Sequence, residues 1–272
     1  MHIFFSSDDL YAPHLAVSIA SILSNADAED EFNFYILEGS ISPTNKDVLL
    51  KLKAIKDFHI EFIQVNTDDF TECATVSGCR HVTLPTYFRF KIASFKPQLT
   101  KALYLDCDIV VKTSLKDLWN ADISHHVLAA VEDPVHIFEK TDSQNRTGNR
   151  YYFNAGILLL NLQKWRDENL ETVCFDYLKN NKDKIKWADQ DVLNGVLVNQ
   201  IRLLSPKWNV QSHIFMQGQY MFSSHEEVVN AINQPHIIHY STHIKPWLKG
   251  AEHPYKHEYD FYRQKVEKLA TV

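Results

Sequence analysis

Strand and helix patterns alternate over the first 66 residues, and this alternation constrains the fold more than any other feature of the sequence. Apolar runs at 2–7, 32–39 and 59–66 have the length of strands, whereas 13–25 and 42–55 carry apolar residues at helical spacing. A helix that connects two neighbouring strands usually packs back onto a parallel sheet. The pattern therefore predicts an α/β fold with a parallel sheet and helices on both faces. In such sheets, ligands bind beyond the carboxyl ends of the strands, where the strand order reverses.

Later segments continue the alternation. The same criteria predict a helix at 85–95, single strands at 101–111 and 128–133, and a helix at 188–199 that opens with an acidic turn. The polar stretch 139–150 has no periodicity and is typical of a surface loop. We expect one domain over residues 1–250, followed by a small helical tail at 251–272 that closes an aromatic-rich C-terminal segment.

Composition and charge exclude several classes of function. The chain has 28 Lys and Arg against 34 Asp and Glu, which gives a net charge of -6 and argues against a nucleic-acid partner. No apolar run is long enough to cross a bilayer, and no signal-peptide pattern follows Met1. We therefore expect a cytoplasmic protein without an integral membrane segment. The four cysteines form no CxxC pair, which favours buried thiols over a Cys73–Cys79 disulfide.

Two acidic residues interrupt the apolar run "KALYLDCDIVV" at 101–111. On an extended chain the side chains of Asp106 and Asp108 leave on the same face, where they repel each other unless a cation binds or one is protonated. Carboxylates suit Mg²⁺ or Mn²⁺, which complete their coordination with substrate phosphates and water. A bare Asp-x-Asp is also compatible with one capping aspartate beside a solvated one. The apolar flanks and the ligand-facing end of the sheet favour the metal site.

Five segments occur together in the order seen in a known enzyme family. They are "FFSSDDLYAPHLAVSIASIL", "LYLDCDIVVKTSLKDLW", "YYFNAGILLLNLQKWR", "DQDVLNG" and "HYSTHIKPW". In these motifs the chain resembles the retaining glycosyltransferases of family 8, and most closely the bacterial lipooligosaccharide α-1,4-galactosyltransferases. The resemblance covers residues 1 to about 250. It implies a single Rossmann-like domain of the GT-A type that binds a nucleotide sugar and has a mixed, mainly parallel sheet.

The resemblance also implies roles for individual residues. Asp106, Asp108 and His239 match the positions that hold Mn²⁺, with Mg²⁺ as the alternative, against the diphosphate of a UDP-sugar. Asp8 and Tyr11 match the positions that recognise uracil. The remaining matched positions contact the diphosphate or the donor sugar, and they are Lys245, His81, Arg89, Asp133, Asn154, Asp189 and Gln190.

The mechanism implied by the family is transfer with retention at the anomeric carbon. A double displacement needs a carboxylate nucleophile, but the residue expected beneath the sugar is Gln190, whose amide is a poor nucleophile. Asp189 is the nearest carboxylate in the sequence. We therefore expect the acceptor to attack on the face from which UDP departs, with Gln190 and Asp189 orienting the sugar and stabilising positive charge.

Other interpretations of these residues remain open at the level of sequence. His236, His239 and His243 could suggest zinc, although 236 and 239 face opposite ways on a strand. Leu10 and Thr242 stand where the family often has asparagine and glycine, which leaves donor affinity open.

Alternative activities and partners are also open. A metal-dependent sugar-nucleotide hydrolase and a non-catalytic sugar-nucleotide-binding module share most of the expected site. Galactose is the favoured donor sugar and glucose the alternative, with a lipooligosaccharide or glycoprotein glycan as acceptor. The chain ends at Val272 without the basic extension by which the resembling enzymes dock on membranes. We then expect either a soluble acceptor, such as a glycan on a protein, or a partner that supplies a peripheral contact with the inner face of the membrane.

Overall fold

A central sheet organises the chain in the computed structural model, which describes residues 1–71, 73, 84–134, 151–216 and 219–271. Seven described strands form it in the order β3-β2-β1-β4-β7-β6-β8, and all but β7 run in the same direction. The predicted mixed, mainly parallel α/β fold is therefore confirmed. The strands are β1 His2–Ser7, β2 Asn33–Glu38, β3 His59–Gln64, β4 Lys101–Leu105, β6 Leu128–Glu132, β7 Phe153–Asn161 and β8 Ile201–Leu203.

A second, three-stranded sheet packs beside the first and corrects one prediction. It contains β5 Ile109–Val111, β9 Val210–Gln211 and β10 Ile237–His239 in the order β5-β10-β9. The run 101–111 was predicted to be one strand, and that prediction is wrong. The chain changes sheets between β4 and β5: the Asp106 N–H still donates to Gly156 of β7 at 2.8 Å, whereas the Asp108 carbonyl already accepts from the Tyr240 N–H, just after β10, at 3.0 Å.

Helices cover both faces of the large sheet. Ser42 caps the second helix by accepting a hydrogen bond from the Asn45 N–H at 3.3 Å. The predicted helix at 85–95 is largely a 3₁₀ helix, Leu84–Lys91, before one α-turn. The α-helices are α1 Ala12–Ser24, α2 Pro43–Lys51, α3 Ile92–Phe95, α4 Lys116–Trp119, α5 Leu162–Asp167, α6 Leu170–Asn180, α7 Ala188–Val196, α8 His225–Asn233 and α9 Lys256–Ala270.

Side chains of the large sheet alternate between two apolar cores. In β1, Ile3 and Phe5 face a core that includes α1 and the buried side of α9, whereas Phe4 faces a core that includes α6 and α7. Full burial of each such side chain contributes about 1.5–3 kcal/mol to folding. Helix α9, which was predicted as a tail, shares its core with α1 through Tyr259 and Tyr262. The proposed domain boundary at residue 250 stays a prediction.

The order of the strands determines where a ligand can bind. From β1 the chain adds β2 and β3 on one side, and then crosses to place β4 on the other side. The carboxyl ends of β1 and β4 therefore flank a crevice at the point where strand order reverses. Asp8 follows β1 and Asp106 follows β4, so both lie at this crevice.

Candidate active site

Three side chains that could hold a metal ion converge at the junction of the two sheets. Asp106, Asp108 and His239 each offer a ligand atom, and these atoms lie within 4.8 Å of one another. The Asp106 N–H donates to the Gly156 carbonyl at 2.8 Å, which continues the pairing of β4 with β7. His239 ends β10 and is paired with Ile109 of β5. The two aspartates converge because the chain turns between two sheets, and not because they share one extended strand.

The hydrogen-bond partner of His239 favours one tautomer of its neutral imidazole. The Nδ1 atom lies 3.0 Å from Asn209 Oδ1, which can only accept a hydrogen bond. In the neutral imidazole the proton therefore lies on Nδ1, and the Nε2 lone pair faces Asp108 Oδ1 at 3.4 Å and Asp106 Oδ2 at 3.7 Å. One nitrogen and two carboxylates form a ligand set suited to a divalent cation such as Mn²⁺.

Cations balance both carboxylates. Burial raises the pKa of Asp108, but the Lys245 ammonium outweighs this effect and holds the pKa well below its ordinary value. The ammonium of Lys245 donates to Asp108 and, at 2.6 Å, to the carbonyl of Tyr240. Asp106 accepts a hydrogen bond from Arg89 Nη2 at 3.0 Å. Each aspartate therefore has a cationic partner, and the lowered pKa keeps Asp108 ionised.

Arg89 connects the metal group to a second carboxylate. Its side chain is 4% exposed and lies over the Tyr104 ring, 4.1 Å from the ring centroid. One guanidinium nitrogen contacts Asp106 and another contacts Asp189, each at 3.0 Å. Asp189 also accepts a hydrogen bond from the Thr86 hydroxyl at 2.5 Å. Burial, opposed by Arg89 and Thr86, raises the pKa of Asp189 to about 6.

Three polar side chains form the other wall of the cavity. Gln190 Nε2 donates to Asp133 Oδ2 at 2.8 Å, and Asn154 Nδ2 donates to Gln190 Oε1 at 3.1 Å. The second oxygen of Asp133 is buried and has no hydrogen-bond partner. An unsatisfied buried acceptor of this kind suits a ligand rich in hydroxyl groups.

The nucleotide residues implied by the resemblance lie on the other side of the metal group. A cavity there is lined by Asp8, Tyr11 and Lys245. It adjoins the cavity lined by Asp133, Asn154, Asp189 and Gln190, and both include Thr86, Arg89, Asp106 and Asp108. The structure thus places the carboxylates between two compartments, as a diphosphate between a nucleoside and a sugar would require.

The structure also bears on the zinc interpretation and on the two departures from the family pattern, but not on every predicted residue. His81 and the loop predicted at 139–150 lie outside the described residues. In the described residues, the group that could hold a metal includes His239 but neither His236 nor His243, which is contrary to the zinc interpretation. Thr242 is 8% exposed and has no left-handed backbone, so its side chain is accommodated where the family often has glycine. Leu10 is 82% exposed.

Sequence reasoning missed three residues that shape the site. Asn209 is fully buried and holds His239, while Thr86 holds Asp189. Ala188 has φ 46°, a left-handed conformation that is costly for a residue other than glycine, immediately before Asp189 and Gln190. No local pattern marks any of the three, because their importance depends on neighbours distant in the sequence or on backbone shape.

Comparison with known proteins defines the class of the chain. The family described as "Glycosyl transferase family 8" matches residues 2–251. The chain therefore belongs to glycosyltransferase family 8, and the fold and the arrangement of the site agree with that class of enzyme.

Individual relatives place the chain within this class. It is 31% identical to General stress protein A of Bacillus subtilis, over 96% of this chain and 92% of that one. It is 29% identical to a lipopolysaccharide 1,3-galactosyltransferase of Salmonella typhimurium, over 88% of this chain and 70% of the other. The galactosyltransferase LgtC, solved with donor and acceptor sugar analogues, superposes with a TM-score of 0.86 at 28% identity, covering 97% of this chain and 96% of LgtC.

Among the residues that the structure describes, no helix combines the length and the apolar character that a bilayer crossing demands.

Proposed function

We propose that this chain transfers a hexose, with galactose favoured over glucose, from a UDP-sugar to a glycan hydroxyl with retention of anomeric configuration. The observation that carries the proposal is the position of Asp106, Asp108 and His239 between a nucleotide-side cavity and a sugar-side cavity. The similarity to LgtC and to a galactosyltransferase of Salmonella supports galactose. A lipooligosaccharide or a glycoprotein glycan is the proposed acceptor.

Donor binding is assigned to side chains of both cavities. Tyr11 would stack on uracil, and Asp8 would accept a hydrogen bond from the base. Trp247 supports the Tyr11 ring edge-on at a centroid distance of 5.9 Å. Lys245 would donate to the diphosphate as a compact point charge. Arg89, Asp133 and Asn154 would line the donor sugar, and His81, also a proposed donor contact, lies outside the described residues.

Asp106, Asp108 and His239 would hold the divalent cation, for which Mn²⁺ is proposed. The bound ion would supply Lewis-acid stabilisation of the negative charge that develops on departing UDP. Arg89 holds the Asp106 carboxylate in place and lies between it and Asp189. The same guanidinium therefore fixes the distance between the metal group and the sugar-side carboxylate.

Retention is assigned to attack on the face from which UDP departs. Gln190 is an amide that already contacts Asp133 and Asn154, and both oxygens of Asp189 already face Thr86 or Arg89. These contacts support orienting roles rather than nucleophilic attack. A phosphate oxygen of UDP would accept the proton of the acceptor hydroxyl. A glycosyl adduct trapped on Asp189 would overturn this mechanism.

A donor panel tests the proposed function directly. Purified protein would be incubated with Mn²⁺ and UDP-galactose, UDP-glucose or UDP-N-acetylglucosamine, with and without lactose-type acceptors, while UDP and free sugar are measured. We expect turnover of UDP-galactose that depends on Mn²⁺ and increases with acceptor. Release of free sugar that no acceptor suppresses would instead indicate a hydrolase, and absence of turnover and of UDP-sugar binding would contradict the proposal.

The pH dependence of transfer follows from the raised pKa of Asp189. Below about pH 6 this carboxylate takes up a proton, loses its charge toward Arg89 and holds the sugar side of the site less firmly. We expect kcat at saturating Mn²⁺ and donor to fall with one proton as pH drops through 6. The residual activity of Asp189→Asn should lack this step.

The same pKa has the opposite consequence for stability. The folded state binds the Asp189 proton more tightly than the unfolded state, for which the ordinary value is 3.8. The contribution of Asp189 to the free energy of unfolding is therefore largest below pH 4 and declines as pH rises to about 6. The Asp189→Asn variant also tests the pH dependence of activity. If its kcat still falls as pH drops through 6, the titration belongs to another group.

A further inference from the structure

An unbroken chain of hydrogen-bonded side chains joins His239, a proposed metal ligand, to Asp133 in the wall of the sugar-side cavity. It runs from His239 through Asn209, Asn154 and Gln190 to Asp133. The links measure 3.0, 2.9, 3.1 and 2.8 Å in that order. Asn209 is its least exposed amide, at 0% exposure, and nothing in the sequence motifs assigns it a role.

Backbone groups fix the direction of every link. The Gly156 N–H donates to Asn154 Oδ1 at 3.0 Å, so this atom is an acceptor, and the group that Asn209 presents to it is the amide NH₂. The Ala155 N–H likewise fixes Gln190 Oε1 as an acceptor at 3.1 Å. With its nitrogen committed to Asn154, Asn209 turns its oxygen toward His239.

The orientation of Asn209 has two consequences. Its oxygen accepts the Nδ1 proton of His239, which leaves the Nε2 lone pair directed at Asp106 and Asp108. Its nitrogen holds Asn154, whose own amide contacts Gln190. One residue therefore sets the tautomer on the metal side and the amide orientation on the sugar side.

We propose that Asn209 is a positioning residue that orients His239 as a metal ligand and, through Asn154, orients Gln190 beneath the donor sugar. Both halves rest on the proposed function, the metal-side half on the proposed cation site and the sugar-side half on the proposed site of the donor sugar. Asn209 accepts a hydrogen bond from His239 and donates one to Asn154, so two substitutions can separate these contacts.

Asn209→Ala removes both contacts. The Nδ1 proton then has no acceptor, and the imidazole is free to place its proton on Nε2, where the two carboxylates lie. Outer contacts of this kind typically change metal affinity about 10- to 100-fold. We expect the dissociation constant of Mn²⁺, measured by electron paramagnetic resonance of the free ion, to rise by about that factor.

Asn209→Asp separates the two halves. A carboxylate still accepts the Nδ1 proton and adds negative charge near the ion, so Mn²⁺ affinity should equal or exceed that of the original protein. It cannot donate to Asn154 Oδ1, so kcat at saturating Mn²⁺ should fall about tenfold or more. A purely structural residue would not give tight metal binding together with slow turnover.

Asn161→Ala is the matched control. Asn161 lies at the opposite end of the strand that carries Asn154, where it caps helix α5 through the Lys164 N–H at 3.0 Å. The Asn161→Ala variant should be less thermally stable than the original protein and should bind Mn²⁺ with unchanged affinity. Unchanged Mn²⁺ affinity in Asn209→Ala, or equal loss of affinity in both Asn209 variants, would overturn the inference. Failure of the unaltered protein to bind Mn²⁺ would instead overturn the proposed metal site together with this inference.

Discussion

Asp108→Asn should lower kcat/KM for sugar transfer about a thousandfold, which corresponds to ~4 kcal/mol of lost transition-state stabilisation. The substitution keeps the shape of the side chain but removes the negative charge that the cation needs. Asp108 is 8% exposed and faces both His239 and Lys245, so water cannot replace the lost carboxylate oxygen effectively. Steady-state kinetics over a Mn²⁺ titration would measure the effect.

The fold should survive this change. Lys245 keeps the carbonyl of Tyr240 as an acceptor when Asp108 is neutral. Asp57→Asn is a suitable control, because Asp57 has a side-chain exposure of 93% and its pairing with Lys53 spans 3.7 Å. The control should retain full activity. An Asp108→Asn variant that transfers sugar at an unchanged rate would remove Asp108 from the metal site.

Gly156→Ala should weaken cation binding strongly by a steric clash. A Cβ at position 156 would lie 2.4 Å from His239 Cε1 and 2.7 Å from Asp106 Oδ2, well inside van der Waals contact. The His239 ring is 3% exposed and held by Asn209, so it has little room to retreat. We expect at least a hundredfold weaker Mn²⁺ binding, with about 1–3 kcal/mol lost from the free energy of unfolding through overpacking.

Gly39→Ala provides the comparison for this prediction. A Cβ there would lie 4.0 Å from the nearest heavy atom, a methyl carbon of Thr67, which is ordinary contact. Calorimetric Mn²⁺ titration and thermal unfolding of both variants would separate a local clash from a general effect of removing glycine. Wild-type Mn²⁺ affinity in Gly156→Ala would show that the two ligands can move apart without loss of coordination.

The sequence predicts the first half of the fold well because the relevant forces are local. The apolar spacing of the first three strands and two helices is set by burial against one sheet, and the structure confirms these elements within a few residues. The end of β4 was misjudged because Ile109, Val110 and Val111 continue the apolar pattern. Burial in a second sheet gives the same sequence signal as burial in the first, so the change of sheet could not be detected.

The candidate site was predictable only in part for a similar reason. Asp106 and Asp108 stand out because charge is costly inside an apolar run, and the family resemblance supplied His239. Asn209 contacts His239 from 30 residues away, and Thr86 contacts Asp189 from 103 residues away. An asparagine in front of a strand, or a threonine in a 3₁₀ helix, carries no sequence signal of such a partner. The roles assigned to the individual residues of the site stay predictions.

The junction of the two sheets gives the three proposed metal ligands a mechanical meaning. Asp106 follows a strand of the large sheet, whereas Asp108 directly precedes one strand of the small sheet and His239 ends another. An ion held by all three would cross-link two β-sheets that are hydrogen-bonded separately. Binding of the ion would then raise the free energy needed to separate the two sheets, since a ligand that binds only the folded state stabilises that state. Catalysis and the stability of the sheet junction would then depend on the same three side chains.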